Sequence, residues 1–186
     1  MKNEYRHVWS STLRQRGVPL QPGLSDAEVS IIEETYGFSF PPDLRALLQH
    51  SLPVGEGFPD WRNGPETKLR ERLSWPLEGL LFDVEHNAVW LPSWGPKPPT
   101  LEEACEQIRH LVGSAPALVP VYFHRYIPAR PHLSGNPVLS VYQTDIIYYG
   151  NDLTDYFRNE FQVPLPEETT NTPRLIEFWT EIIDMQ

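Results

Sequence analysis

Val138-Leu139-Ser140-Val141-Tyr142-Gln143-Thr144-Asp145-Ile146-Ile147-Tyr148-Tyr149-Gly150 is the stretch on which the reading of the fold turns. Two runs of β-branched and aromatic residues flank Gln143-Thr144-Asp145, which is either the turn of a hairpin or the bend of one long strand. Upstream, Leu118 to Phe123 is a continuous apolar run containing Pro120. A missing N–H at that position suits an edge or bulged strand. Residues 124–136 then read as a polar loop. Leu80-Leu81-Phe82-Asp83-Val84 reads as a further strand, with His86-Asn87 turning into Ala88-Val89-Trp90-Leu91 as a hairpin.

Helical patterns surround these strands. Tyr5, Trp9 and Leu13 recur every four residues before Gly17. Ser25 with Glu28 forms a capping box, and Gly37 marks the end of that helix. Pro41-Pro42-Asp43 opens a short helix carrying Leu44, Leu47 and Leu48. Residues 52–63 are broken by proline and glycine, and Leu69 to Leu73 read as a helical turn before Pro76. Thr100 with Glu103 is a second capping box, for a helix with Leu101, Ala104, Ile108 and Leu111 on one face beside Cys105. Gly150-Asn151-Asp152 ends a strand and caps a helix with Leu153, Tyr156, Phe157 and Phe161. After a proline-rich linker, Thr172-Pro173 starts a last helix with Leu175, Ile176, Trp179, Ile182 and Ile183 inward. Helices, then strands with one inserted helix, then helices predict an α+β fold with a mostly antiparallel sheet, in one domain over 1–186.

Composition narrows the function classes. The 186 residues carry 15 Lys+Arg against 25 Asp+Glu, a formal charge of −10. That balance repels a phosphate backbone, so no nucleic-acid partner is expected; it attracts a basic one. No apolar run spans a bilayer and the N-terminus has no secretory h-region, so neither membrane nor export is expected. Cys105 is the only cysteine, which excludes an intramolecular disulfide and fits the reducing cytosol. The six histidines show no metal-binding spacing; His124 and His132 are the best pair, and no metal or cofactor is expected. Phosphate-binding loops and nucleophile elbows are missing.

The informative polar residues lie in 121–152. Read structurally, Arg125 pairs with Asp145 across the sheet, Asn136-Pro137 shapes a turn, and Asn151 caps a helix. Read functionally, charges ring exposed Trp94, Tyr126 and Tyr148, the mixture of aromatic and charged groups expected of a protein interface. Asp83 and Glu85, two apart on a strand, would face the same way and can serve acid/base chemistry or attract a cation, although solvated strand ends carry such pairs routinely.

Several segments resemble the SUKH superfamily of Smi/Knr-like domains. Leu24-Ser25 through Ile32-Glu33, Gly37, and Phe40-Pro41-Pro42-Asp43-Leu44 with Leu47-Leu48 are similar to its N-terminal pattern. Leu81 to Asn87 with Trp90 and Trp94-Gly95, and Val119 to Tyr122, His124 to Pro128 and Gly135 to Gly150, resemble a bacterial branch. The resemblance covers most of residues 24–157. It implies an α+β domain without cofactor or catalytic residue that acts by binding protein, as an immunity protein against a toxin or as a scaffold. The expectation is therefore a cytoplasmic, non-enzymatic domain binding a protein partner, a basic toxin such as a nuclease, through Asp83, Glu85, Trp94, Tyr126, Asp145, Tyr148 and Asp152, while Arg125, Asn136 and Asn151 hold the fold. The alternatives are an intracellular scaffold or regulator and, more remotely, a hydrolase using Asp83 or Glu85.

Overall fold

The computed structural model describes residues 5–162 and 172–185. The proline-rich stretch 163–171 lies outside the described residues. The chain runs α1 (Tyr5–Gln15), β1 (Leu20–Pro22), α2 (Asp26–Tyr36), α3 (Pro42–His50), β2 (Ser51–Pro53), α4 (Glu66–His86), α5 (Leu101–Ser114), β3 (Leu118–Tyr122), β4 (Arg125–Pro128), β5 (Val138–Tyr142), β6 (Asp145–Gly150), α6 (Leu153–Phe161) and α7 (Trp179–Ile183). It is an α+β fold whose four-stranded sheet, ordered β3-β4-β5-β6, is antiparallel throughout.

Local chemistry accounts for the helix ends. The Ser25 hydroxyl accepts from the Glu28 N–H at 3.2 Å while the Glu28 carboxylate accepts from the Ser25 N–H at 2.8 Å, closing the capping box. Gly37 ends α2 at φ 72, a conformation that glycine adopts without penalty. Thr100 and Glu103 cap α5 in the same reciprocal way.

The sheet resolves both open readings of its strands. Tyr142 pairs with Asp145, so Gln143-Thr144 is the two-residue turn of a β5–β6 hairpin. Tyr122 pairs with Arg125 across Phe123-His124, so β4 occupies part of the expected loop. Pro120 lies on the edge strand β3, next to a register shift before Tyr122. The short β1–β2 pair has no counterpart among the expected elements, because three-residue strands bounded by prolines carry no periodicity.

Alternation along the strands divides the interior into two cores. Val119, Val121, Ile127 and Val138 face α1, α2, α3 and α6. Leu118, Tyr126, Leu139, Val141 and Ile146 face α4, α5 and α7. Trp9 and Leu13 of α1 are fully buried, Trp9 stacking on Phe157 of α6 with centroids 5.0 Å apart. At the end of β6, a Cβ on Gly150 would lie 2.5 Å from the Tyr156 nitrogen, so glycine alone lets α6 turn back onto the sheet.

The expected strand at Leu80–Val84 is instead the C-terminal half of the 21-residue helix α4, and Ala88 to Leu91, expected as its hairpin partner, follow the helix without forming a strand. Leu69, Leu73, Leu77, Leu80 and Val84 recur every three or four residues, the helical period. Pro76 reads as a helix stop, yet it sits inside α4. Proline has no N–H for the carbonyl four residues back, that of Arg72. The buried Tyr126 hydroxyl donates to that carbonyl at 2.8 Å and takes the place of the missing bond. Farther along, Gly79 passes so close to the β5–β6 turn that a Cβ there would lie 2.8 Å from the Gln143 Cα.

The last helix is also shorter than expected. Residues 172–176 are not helical and α7 begins at Trp179. The Arg174 guanidinium reaches the Ser134 carbonyl and the Asn136 side chain, and the Thr180 hydroxyl accepts from the Ile176 N–H at 2.7 Å. These bonds hold the segment extended, with Ile176 buried and Leu175 outward.

Two effects compete at Gly79. Alanine favours a helix interior by about 1 kcal/mol, whereas overpacking costs about 1–3 kcal/mol. Because the blocking atom is backbone, Gly79→Ala is expected to lower stability in chemical denaturation; a stabilised variant would show that the turn gives way.

Candidate functional site

The structure places the expected contact residues differently from the sequence reading. On a helix, residues two apart point nearly opposite ways. Asp83 therefore faces inward while Glu85 faces solvent, and the expected carboxylate pair does not exist. Asp83 Oδ2 accepts from the Thr144 N–H at 2.8 Å and the Thr144 hydroxyl at 2.5 Å, and Oδ1 accepts from the Asn87 amide at 2.6 Å. Burial pushes its pKa up, but these bonds outweigh burial and hold the carboxyl below the usual range. Its work is to tie α4 to the β5–β6 turn.

Trp94 and Tyr126 are also core residues, 3% and 2% exposed. Trp94 packs edge-on against Trp90 and parallel to Phe178. Tyr148 is half-buried, its hydroxyl 2.8 Å from that of Thr180. Asp152, rather than Asn151, is the N-cap of α6, its carboxylate accepting from the Asp155 N–H at 2.7 Å. The Asn151 N–H donates to Asp155 at 2.9 Å. Of the seven expected contact residues, Glu85 and Asp145 are exposed, Tyr148 and Asp152 half-buried, and Asp83, Trp94 and Tyr126 buried.

The polar residues expected to hold the fold are internal, with one exchange of partner. Arg125 pairs with Glu160 of α6 at 3.2 Å rather than with Asp145, donates to the Ser140 hydroxyl at 2.8 Å, and lies 3.6 Å over the Tyr149 ring. Asp145 stands exposed at the turn. Asn136 is fully buried, donating to the Pro128 carbonyl at 2.8 Å and the Pro131 carbonyl at 2.9 Å.

The exposed chemistry lies on the opposite face of α4. Glu71, Trp75, Glu78, Phe82 and Glu85 follow one another at intervals of four and three residues, and all five are exposed. Carboxylates and aromatic rings thus alternate along a stripe about 20 Å long at 1.5 Å per residue. Phe123 and Tyr142, at the two neighbouring hairpin turns, extend it with rings 47% and 58% exposed.

Between α4 and those turns lies an open pocket of about 530 Å³, lined by Arg72, Trp75, Phe123, His124, Tyr126 and Tyr142 among others. Phe123 at φ 41 and Gln143 at φ 58 occupy the left-handed region at the first position of their turns, where glycine is favoured. Phe123 is held there because its N–H donates to the Gly57 carbonyl at 2.8 Å and its own carbonyl accepts from Arg72 at 2.9 Å. Strain at non-glycine residues costs about 1–3 kcal/mol and concentrates at functional surfaces. Burial and the neighbouring Arg125 both lower the pKa of His124.

A larger depression of about 900 Å³ lies beside the C-terminal ends of α2 and α5. Small residues such as Gly37, Gly113 and Ala115 line it together with Glu33, Glu34, Arg130 and His132, and Glu33 is engaged by the Phe40 N–H at 2.8 Å. His124 and His132 line different cavities, and among the described residues no group of three or more His, Cys, Asp or Glu side chains is placed to hold a metal. Nor is any described helix long and apolar enough to cross a membrane.

In comparisons with protein-family models, curated proteins and solved structures, nothing matches this chain.

Asp83 gives a prediction with a definite sign. Its folded-state pKa is depressed, so its contribution is present above about pH 4, the unfolded value, and is lost as pH falls through the folded value. Asp83→Asn is expected to cost about 1–3 kcal/mol at neutral pH. In urea denaturation its deficit against the parent should narrow at about pH 3; a gap that stays constant would refute the ionised role.

Proposed function

We propose that this chain is a non-catalytic protein-binding domain of the bacterial cytosol that docks a basic partner on the outer face of α4, and that the partner is a toxin it neutralises by occlusion. The alternating stripe of Glu71, Trp75, Glu78, Phe82 and Glu85 carries this reading. Rings supply contact area at low entropic cost, and carboxylates between them select and orient basic groups. A formal charge of −10 adds long-range attraction for such a partner. The resemblance to a bacterial branch of the SUKH superfamily, whose members include immunity proteins, supports the toxin as partner. A non-catalytic reading is supported by Asp83, whose carboxylate is occupied by three internal donors.

The surface is separable from the fold, which makes the test clean. Phe123→Gly removes a ring and relieves a left-handed backbone, so stability should hold or rise while partner affinity falls about tenfold or more. Trp75→Ala should weaken binding similarly, with its circular dichroism unchanged. The partner is sought by affinity capture from the native cell, followed by growth rescue on co-expression with each captured toxin. Rescue that these substitutions abolish is the expected result. Capture of several housekeeping proteins without rescue would favour a scaffold and overturn immunity.

Steering predicts a salt dependence. Association should slow markedly as ionic strength rises towards about 0.15 M, where the screening length is about 8 Å, and Glu78→Lys should flatten that dependence. Stopped-flow mixing checks it; an on-rate indifferent to salt would argue against electrostatic attraction.

A further inference from the structure

Arg72 is the one cation in the pocket wall whose charge the fold leaves unanswered among the described residues. Its Nη2 donates to the Gly57 carbonyl at 2.8 Å and the Phe123 carbonyl at 2.9 Å, both neutral acceptors. Among the described residues no carboxylate forms an ion pair with it, and no protein acceptor meets its Nε–H or Nη1 donors. Glu71, the one carboxylate lining the pocket, is engaged by Lys68 at 2.8 Å. Burial lowers the Arg72 pKa, the sign of a charge partly removed from water without a counter-ion.

The position of this guanidinium is fixed from both ends. Its backbone carbonyl accepts from the Tyr126 hydroxyl, and its side chain spans Gly57 and Phe123. A guanidinium held in place therefore lines a cavity walled by Trp75, Phe123 and Tyr142. With Nη2 engaged by two carbonyls, the Nε–H and Nη1 donors remain to make charge-assisted hydrogen bonds to a carboxylate, and aromatic walls accept the apolar group that carries it.

We infer that this pocket binds a carboxylate borne on an apolar group, supplied by a protein partner as an aspartate or glutamate flanked by an aromatic or aliphatic side chain. The source rests on the protein-binding reading above; the carboxylate chemistry rests on Arg72 alone. The acidic stripe and this pocket then make different demands on one partner: basic groups along α4, and one acidic anchor at the pocket.

The test uses the full chain and two small probes, 3-phenylpropionate and its neutral amide, titrated while the Trp75 indole and Arg72 Nε–H signals are followed by NMR. The acid is expected to shift both saturably and to bind about tenfold tighter than the amide, a difference equivalent to about 1.4 kcal/mol. Arg72→Met should abolish the preference and Arg72→Lys should keep part of it, but the comparison on the parent chain decides the matter without a variant. Equal binding of acid and amide, or no saturable shift with either, overturns the inference. The outcome is independent of partner capture. Acid preference without any protein partner would sink the docking reading alone, whereas a captured partner with no acid preference would sink the pocket alone.

Discussion

The hydrogen bond from the Tyr126 hydroxyl to the Arg72 carbonyl is what allows α4 to cross the sheet as one continuous helix. Pro76 deprives that carbonyl of its helical partner, and an unpaired buried carbonyl would cost about as much as the helix turn gains. By spending a core tyrosine on it, the fold carries the helix through the proline and delivers its second half to the β5–β6 turn. There Gly79 approaches Gln143 and Asp83 binds Thr144. Three contacts along one helix, at residues 72, 79 and 83, thus hold it against β4 and the turn.

The outer face of α4 follows from the same geometry. With Leu80, Leu81 and Val84 inward and Asp83 bonded to the turn, the positions on the opposite face of the helix point to solvent. Those positions carry Glu78, Phe82 and Glu85 rather than the uniformly polar side chains that solubility alone would favour. The adjoining turns place Phe123 and Gln143 where glycine would cost less. Rings and backbone strain therefore meet on one side of the molecule, and Arg72 connects the two. Its carbonyl stabilises the helix, its Nη2 holds the strained turn, and its side chain lines the pocket.

Much of this is legible in the sequence where local chemistry decides the outcome. Both capping boxes, Gly37, the proline-led α3 and the β5–β6 segment have short-range signals that the structure follows, as does the α5 face at Ala104, Cys105 and Ile108, though Leu101 of that face is exposed. Expectation and structure part where a tertiary partner overrides a local rule. Pro76 stops a helix unless a distant hydroxyl replaces its N–H, and nothing near Pro76 announces Tyr126. Reading the second half of α4 as a strand puts Asp83 and Glu85 on one face and leaves Trp75 and Phe82 without a common stripe. Trp94, Tyr126 and Tyr148 are aromatic and near charges, but composition cannot tell a ring with a buried partner from an exposed one. The seven-residue interval from Trp75 to Phe82, with Glu71, Glu78 and Glu85 interleaved, is the available signal for the site.

A double-mutant cycle on Tyr126 and Pro76 measures the link on which this arrangement depends. Pro76→Ala restores an N–H for the Arg72 carbonyl, so the Tyr126 hydroxyl should then matter far less. Tyr126→Phe is expected to cost about 1–3 kcal/mol with Pro76 present and much less in the Pro76→Ala background. Coupling of about 1 kcal/mol or more in urea denaturation supports the account, and effects that add to within about 0.5 kcal/mol would contradict it.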